Sequence, residues 1–411
     1  MKEVHIEMRL KQGMYLFGTA LALLAGCGQA TTTNQKTEQA NSVNSPTSSA
    51  SSTAQVASTT TTLQSQTQTI LAADDPALAT FQAKTSDLPS VTTIDKGASG
   101  IQESRLLRLN DVAQYVYEVG QGEDLPVAIF LHGGPGFSYT NSADNMAGLV
   151  GDANILFWDQ IGAGHTFSEN PTLEPSMDNL ITSLEDLVTY AKTRYGVDKV
   201  AIIGHSWGSA LGATYARTHP DDVSVYIGVG QVVTSAEDEQ VALAETKTRA
   251  EAAGRSDLVD QLSEIDAAYP NQENFIEVAY DAALLRSVQT ELGYNAADFV
   301  QYLPLLFSGQ ATNLSASDQA TLDRLLLNQR LYRQLLKSDF YAEGTSFEMP
   351  FYLISGANDI QVPASQARQL IEDIDAPDKA YYEIPDAGHT PMDDQATQFN
   401  QLIRTILKNN L

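Results

Sequence analysis

The chain has 411 residues, 43% of them hydrophobic and 18% charged, enough apolar material for a sizeable core in one large domain or two modest ones. Asp plus Glu number 51 against 24 Lys plus Arg, a formal charge of -27. Such a surface repels phosphate backbones and excludes nucleic acid as a partner; its plainest use is solubility. Cys27 is the sole cysteine, which leaves no intrachain disulfide and no cysteine-based metal site.

The first segment reads as an address rather than as structure. Lys2, Arg9 and Lys11 precede the apolar run "MYLFGTALALLAGC", which is short for a bilayer span and ends in small residues, the layout of a secretory signal peptide over residues 1–26. The segment from Met8 onward is already complete in this sense. The closing "LAGC" resembles the bacterial lipobox, and that resemblance implies a lipid on Cys27 and a protein held at the extracytoplasmic face of a membrane. An ordinary export signal, with Cys27 incidental, is the plainer alternative. Residues 27–75 are dominated by Thr, Ser, Gln, Ala and Asn and cannot bury enough surface to offset the entropy of ordering, so they read as a flexible tether.

Beyond the tether the pattern changes to that of a folded α/β unit over 76–230 and 346–411. "SRLLRLNDVAQYVYEVG" (104–120) gives two β-rich runs around Asn110-Asp111, the mark of a hairpin. Short apolar runs follow: "VAIFL" (127–131), "NILFW" (154–158), "KVAII" (199–203), "VSVYIGVG" (223–230), "FYLIS" (351–355) and "AYYEI" (380–384). Their near-continuous hydrophobicity fits parallel strands covered on both faces. Helical spacing lies between them. Ser176 can cap a helix ending near Gly196; a second runs from the turn at Ser206 to about Thr218; a third begins near Pro363; a fourth covers 395–408. Strands alternating with helices predict a doubly wound, mostly parallel sheet. Between Gly230 and Met349 only helical periodicity is found, which predicts a helical cap over 231–345 inserted between two core strands.

Chemistry concentrates at strand ends. "VAIIGHSWGSALG" (200–212) places Ser206 between Gly204 and Gly208, after a strand and before a small-residue helix, as a nucleophile elbow requires. The bland reading is a serine capping a helix behind a glycine turn. Serine needs a base oriented by a third group, and in this fold order both follow the nucleophile. Only His219 and His389 lie downstream. His219 sits beside Pro220 at a helix end, where a dipole or surface role suffices; His389 lies in the loop "IPDAGHTPM" after a strand and is the candidate base. Asp359 in "FYLISGANDIQVP" occupies the carboxyl edge after another strand and is the candidate acid, with Asp386 and Asp375 as competitors. Oxyanion donors are expected from the amide of Trp207 and, in "FLHGGPGFS", the amide of Gly134. His132, His165 and His205 lack ligand-like spacing, so no metal is expected, and the chemistry requires no cofactor.

Taken together, "HGGPG" (132–136), "WDQIGAGHT" (158–166), "GHSWGS" (204–209), "GANDIQVP" (356–363) and "GHTP" (388–391) resemble the proline iminopeptidase branch of the α/β-hydrolases, over about residues 100–411 apart from much of the cap. The resemblance implies an α/β-hydrolase fold and a Ser206, Asp359, His389 triad. It also implies removal of an N-terminal residue, typically proline, from short peptides, with cap carboxylates gripping the free amino group. Two positions depart from the family pattern: Ile161 stands where an arginine is usual, and His205 where glycine is common. Glu237, Asp238, Glu239 and Glu245 are candidates for the amine grip, although such a run is also the usual makeup of a solvated helix face. "GVGQ" (228–231) is expected to line the pocket from below. The partner is thus a small peptide or another small molecule. Esterase or amidase action on a non-peptide substrate is the alternative activity, and ligand binding on a non-catalytic hydrolase scaffold is the alternative of another class.

Overall fold

A computed structural model describes residues 101–121, 125–271, 273, 275–294 and 316–410. The expected signal segment, Cys27, the tether and the stretch 76–100 lie outside the described residues, as does 295–315 within the helical insertion.

The hairpin turns where the sequence allows it. Strand β1 (Ile101–Leu109) pairs antiparallel with β2 (Val112–Gly120) in the register Leu109↔Val112. Asn110 and Asp111 both take positive φ, 50° and 57°, the pair of left-handed residues that a two-residue turn matching strand twist demands. Six further strands complete the sheet: β3 (Val127–Leu131), β4 (Asn154–Trp158), β5 (Val200–His205), β6 (Val223–Val229), β7 (Phe351–Gly356) and β8 (Lys379–Ile384). Their order is β1-β2-β4-β3-β5-β6-β7-β8. β2 runs antiparallel to β4, and every pair from β4 to β8 is parallel.

Alternation along the strands divides the core in two. Ile129, Leu131, Leu156, Trp158 and Ile202 face a cluster built with Leu184, Leu187, Leu211 and Tyr215. Their strand neighbours Phe130, Ile155, Phe157 and Ile203 face the opposite cluster with Met146, Phe399, Ile403 and Ile406. The helices of these layers are α1 (Gly164–Glu169), α2 (Met177–Tyr195) and α3 (Trp207–Thr218). Residues of α2 and α3 supply the first cluster. Ser176 caps α2 through a reciprocal box: its hydroxyl accepts from Asn179 N at 3.3 Å, and Asn179 Oδ1 accepts from Ser176 N at 2.9 Å. Gly196, at φ 67°, closes the helix in the left-handed conformation.

Between β6 and β7 the described residues form helices: α4 (Ser235–Ala252), α5 (Ser256–Leu262), α6 (Phe275–Glu291), α7 (Ala316–Leu335) and α8 (Phe340–Glu343). Ala242, Leu258, Leu262, Tyr269, Leu285 and Val288 give this insertion an apolar cluster of its own. After β7 come α9 (Ala364–Asp373), α10 (Pro391–Asp394) and α11 (Ala396–Asn409). Among the described residues no helix is long and apolar enough to cross a membrane. The parallel strands all point the same way, so the loops after β3, β5, β6, β7 and β8 gather at one carboxyl edge.

Candidate active site

The edge is organised by one turn. Strand β5 continues two residues past the expected end at Ile203, through Gly204 and His205, and α3 starts at Trp207. Ser206, caught between them, has φ 53° and ψ -122°, a conformation that costs a residue with a Cβ on the order of 1–3 kcal/mol. Neighbouring glycines make the turn possible. A Cβ on Gly204 would lie 2.4 Å from the Gly208 carbonyl oxygen, and one on Gly208 would lie 2.1 Å from that of Leu131. Hydrogen bonds hold the turn from both sides: Ser206 N donates to Val229 O at 2.9 Å, and Ser209 N donates to Ser206 O at 2.8 Å.

Asp359 and His389 arrive from the loops after β7 and β8, and the two side chains meet. His389 Nδ1 donates to Asp359 Oδ2 at 2.9 Å. The other carboxylate oxygen accepts from the amides of Gln361 and Val362, each at 3.0 Å. A carboxylate can only accept, so the contact places the imidazole proton on Nδ1 and leaves the lone pair of the neutral ring on Nε2. That Nε2 is buried and makes no hydrogen bond. Ser206, Asp359 and His389 are 8%, 2% and 6% exposed, so all three are shielded from bulk water. The serine and the imidazole flank the same backbone: Val229 accepts from Ser206 N, and a Cβ on the next residue, Gly230, would lie 3.1 Å from His389 Cε1. His389 Nε2 and the Ser206 hydroxyl are not hydrogen-bonded to each other, and contacts of this kind tighten around substrate.

The competing residues are engaged elsewhere. His219 caps the end of α3, its ring stacked on Tyr215 at 4.4 Å with Nδ1 2.8 Å from the Thr218 hydroxyl. Asp386 is exposed at φ 56°. Asp375 lies beyond α9, with its backbone bridged to Ser346. Among the described residues no group of three or more His, Cys, Asp or Glu converges as a metal site.

The glycine-rich loop after β3 packs against the nucleophile: a Cβ on Gly133 would lie 3.1 Å from Ser206 Cβ. Gly134 adopts φ 120° and Gly136 φ 90°, backbone conformations that favour glycine. Trp207 is the first residue of α3, so its amide has no acceptor within the helix. Gln160, which the sequence did not single out, clasps the two donor-bearing segments together. Its side-chain amide donates to His132 O at 3.1 Å, and its Oε1 accepts from Trp207 Nε1 at 2.9 Å. Its backbone N–H donates to His132 Nε2 at 3.1 Å, so that ring is neutral; burial lowers the His132 pKa to match. Asp159 anchors the same loop by accepting from the hydroxyls of Ser138 and Thr140. The side chain of Ile161 is buried.

The cap carboxylates differ from a solvated face. Glu237 is exposed and Glu245 half-buried, accepting from Ser365 Oγ at 3.0 Å. Asp238 and Glu239, by contrast, are buried. Glu239 pairs with Arg286 and accepts from Tyr269 OH at 2.6 Å. No sequence signal links these residues, because Arg286 lies 47 positions away. The same helix face holds the acid loop: Gln289 Nε2 donates to Ile360 O at 3.0 Å, next to Asp359. Gln231 does not line the pocket as expected; it is fully buried, with its amide spent on Tyr226 OH and Val232 O.

Two outcomes follow from this packing. Gly230 holds a left-handed conformation at φ 54°, and a Cβ there would press on His389 at 3.1 Å and on Asp359 at 3.3 Å. Gly230→Ala is expected to lose about 1–2 kcal/mol of stability in urea titration and to displace the imidazole. Burial first, and then the Glu239 charge, raise the Asp238 pKa from 3.8 to about 7. The folded state therefore binds more protons than the unfolded one across that interval, and Asp238 removes stability as pH rises from about 4 to 7. Asp238→Asn is expected to gain several degrees in melting temperature relative to the parent at pH 8, and little or nothing at pH 4. Equal differences at the two pH values would contradict this.

Comparison with known proteins agrees with the geometry. A sequence profile described as the alpha/beta hydrolase fold matches residues 126–396. The "Probable aminopeptidase YbaC" of Bacillus subtilis is 24% identical over 279 residues, 67% of this chain and 86% of that protein. The "Proline iminopeptidase" of Heyndrickxia coagulans is 34% identical, but over 106 residues, 26% of this chain and 35% of its own length. Among solved structures, VinJ superposes with a TM-score of 0.50 at 14% identity, covering 78% of this chain and 99% of VinJ, a likeness of fold.

Proposed function

Because the chain belongs to the α/β-hydrolase family, we propose that it is a serine hydrolase acting by acyl transfer, as an aminopeptidase of the proline iminopeptidase kind. Ser206 Oγ attacks the scissile carbonyl while His389 Nε2 takes its proton. Asp359 holds the ring in the Nδ1–H tautomer and stabilises the imidazolium. The amides of Gly134 and Trp207 receive the developing oxyanion. The imidazolium then returns its proton to the leaving group, the acyl group stays on Ser206, and a water activated by the same ring releases it. The observation that carries this reading is the 2.9 Å Asp359–His389 contact, which leaves a bare, water-shielded Nε2 beside the elbow.

The aminopeptidase assignment draws its support from the ordered set of motifs and from the names of the relatives. The second reading is an esterase or amidase of a small non-peptide substrate, and the cap favours it. Glu239 is already paired with the Arg286 guanidinium and accepts from Tyr269 OH, and burial raises the Asp238 pKa to about 7, so below that pH neither supplies a full uncompensated charge to a substrate ammonium. The export signal and the lipid on Cys27 rest on the sequence of the first 27 residues; intact-mass analysis of the membrane-extracted N-terminus tests them, with a diacylglyceryl mass increment on Cys27 expected.

Ser206→Ala is expected to lower turnover by about four to six orders of magnitude with an unchanged circular dichroism spectrum, and full activity in that variant would end the mechanism. A panel of prolyl and alanyl arylamides, their N-blocked forms and short acyl esters separates the two activities. Aminopeptidase action predicts that N-blocking abolishes turnover. An unaffected rate on blocked substrates selects the esterase or amidase.

A further inference from the structure

His205 is the one departure from the resembling family that reaches the base, and nothing in the acyl-transfer scheme above uses it. Its ring sits in the elbow, immediately before Ser206, and is 7% exposed. Nε2 lies 2.9 Å from the backbone carbonyl oxygen of His389. A carbonyl only accepts, so His205 Nε2 carries the proton and donates. The two imidazole rings lie 4.8 Å apart, tilted by 43°. One residue of the nucleophile turn thus reaches 184 positions along the chain to hold the backbone of the candidate base.

We propose that His205 is a positioning residue, a strut from the nucleophile turn that fixes the loop of His389 and so sets the distance between Ser206 Oγ and His389 Nε2. The proposal rests on the reading of His389 as the base. Asp359 grips the ring of His389 at Nδ1, which sets its tautomer, but that hydrogen bond does not fix the backbone from which the ring hangs. Gly388 N donates to Asp394 Oδ2 at 2.8 Å, tying the loop on the far side. Asn358 N donates to Ala387 O at 2.8 Å, and the His205 bond adds a restraint that comes from the element carrying the nucleophile. The strut therefore moves with Ser206. With glycine at 205, as is common in the resembling family, no side chain could make this bond.

A strut must not change charge during turnover, because a second imidazolium beside His389 would oppose the one that forms there. The groups facing His205 are His389, Asp359 and His132. Burial, and then the charge on His389, depress the His205 pKa to about 3. The ring is neutral throughout the range in which a histidine base works, and its single proton stays on Nε2.

Three variants test the strut. His205→Gly removes it, His205→Phe keeps ring volume without a donor, and His205→Gln restores an amide N–H close to the position of Nε2. On whichever ester or arylamide the parent turns over, the Gly and Phe variants are expected to lose about ten- to hundredfold in kcat, with KM within about twofold. His205→Gln is expected to recover most of the loss. Retention of the parent kcat in both His205→Gly and His205→Phe, or equal loss in His205→Gln and His205→Phe, would overturn the proposal. Should His205→Gly fail to fold, the Phe and Gln pair carries the same comparison.

A readout without turnover separates this proposal from the hydrolase reading. Nitrogen-15 shifts of the His205 ring in the labelled parent are expected to show a neutral Nε2–H tautomer down to pH 4. An Nδ1–H tautomer, or titration near the ordinary histidine value, would overturn the strut even in an active enzyme. The expected tautomer in a protein whose activity survives Ser206→Ala would leave the strut in place and end the mechanism instead.

Discussion

The sharp turn at Ser206 is the constraint on which the rest of the site depends. A serine at φ 53° and ψ -122° persists only where the surroundings over-determine it. Here a sheet strand enters the turn and a helix leaves it. Gly204 and Gly208 let backbones approach to distances no side chain would permit, and Val229 O holds the serine amide. The strain has a use. It projects one hydroxyl from the carboxyl edge of a parallel sheet, where the loops after β3, β7 and β8 can converge on it. It also places the Trp207 amide at a helix start, where the backbone has a donor to spare.

Around that turn neutral hydrogen bonds supplement the carboxylate contacts of Asp359 and Asp159. Gln160 links the indole of Trp207 to the carbonyl of His132, joining the two segments expected to supply oxyanion donors. His132 and His205 are both buried with lowered pKa values; His132 bonds through both ring nitrogens and His205 donates through Nε2. The charged pair kept inside the cap, Glu239 with Arg286, lies next to the acid loop, where Arg286 also reaches Gln361 O at 3.5 Å. Through Gln289 that cap surface also fixes the backbone beside Asp359.

The sequence made the sheet and the three side chains at its edge legible for physical reasons. Buried parallel strands must be apolar on both faces, so runs such as "VAIFL" and "NILFW" stand out from the helices between them. Asn110-Asp111 announced its own turn, and Ser176 its own helix start. His389 was found by elimination, since the only other downstream histidine caps a helix end. What could not be read was anything depending on contacts between distant side chains. The bridging role of Gln160, the pairing of Glu239 with Arg286 and the bond from His205 to the His389 carbonyl join segments 28 to 184 residues apart. Asp238 and Glu239 looked like part of a solvated helix face because composition shows charge and not direction. Gln231 looked like pocket lining because it stands at the junction of sheet and cap, whereas Tyr226 and Val232 had already claimed its amide.

The central claim is that one serine hydroxyl, and no other, is made nucleophilic by this arrangement. It is tested most directly by treating the folded protein with a fluorophosphonate and mapping the adduct by peptide mass spectrometry. A single modification is expected, on the peptide carrying Ser206, with the rate of labelling falling sharply in His389→Ala. An unmodified Ser206, or labelling that proceeds equally fast without the imidazole, would contradict it.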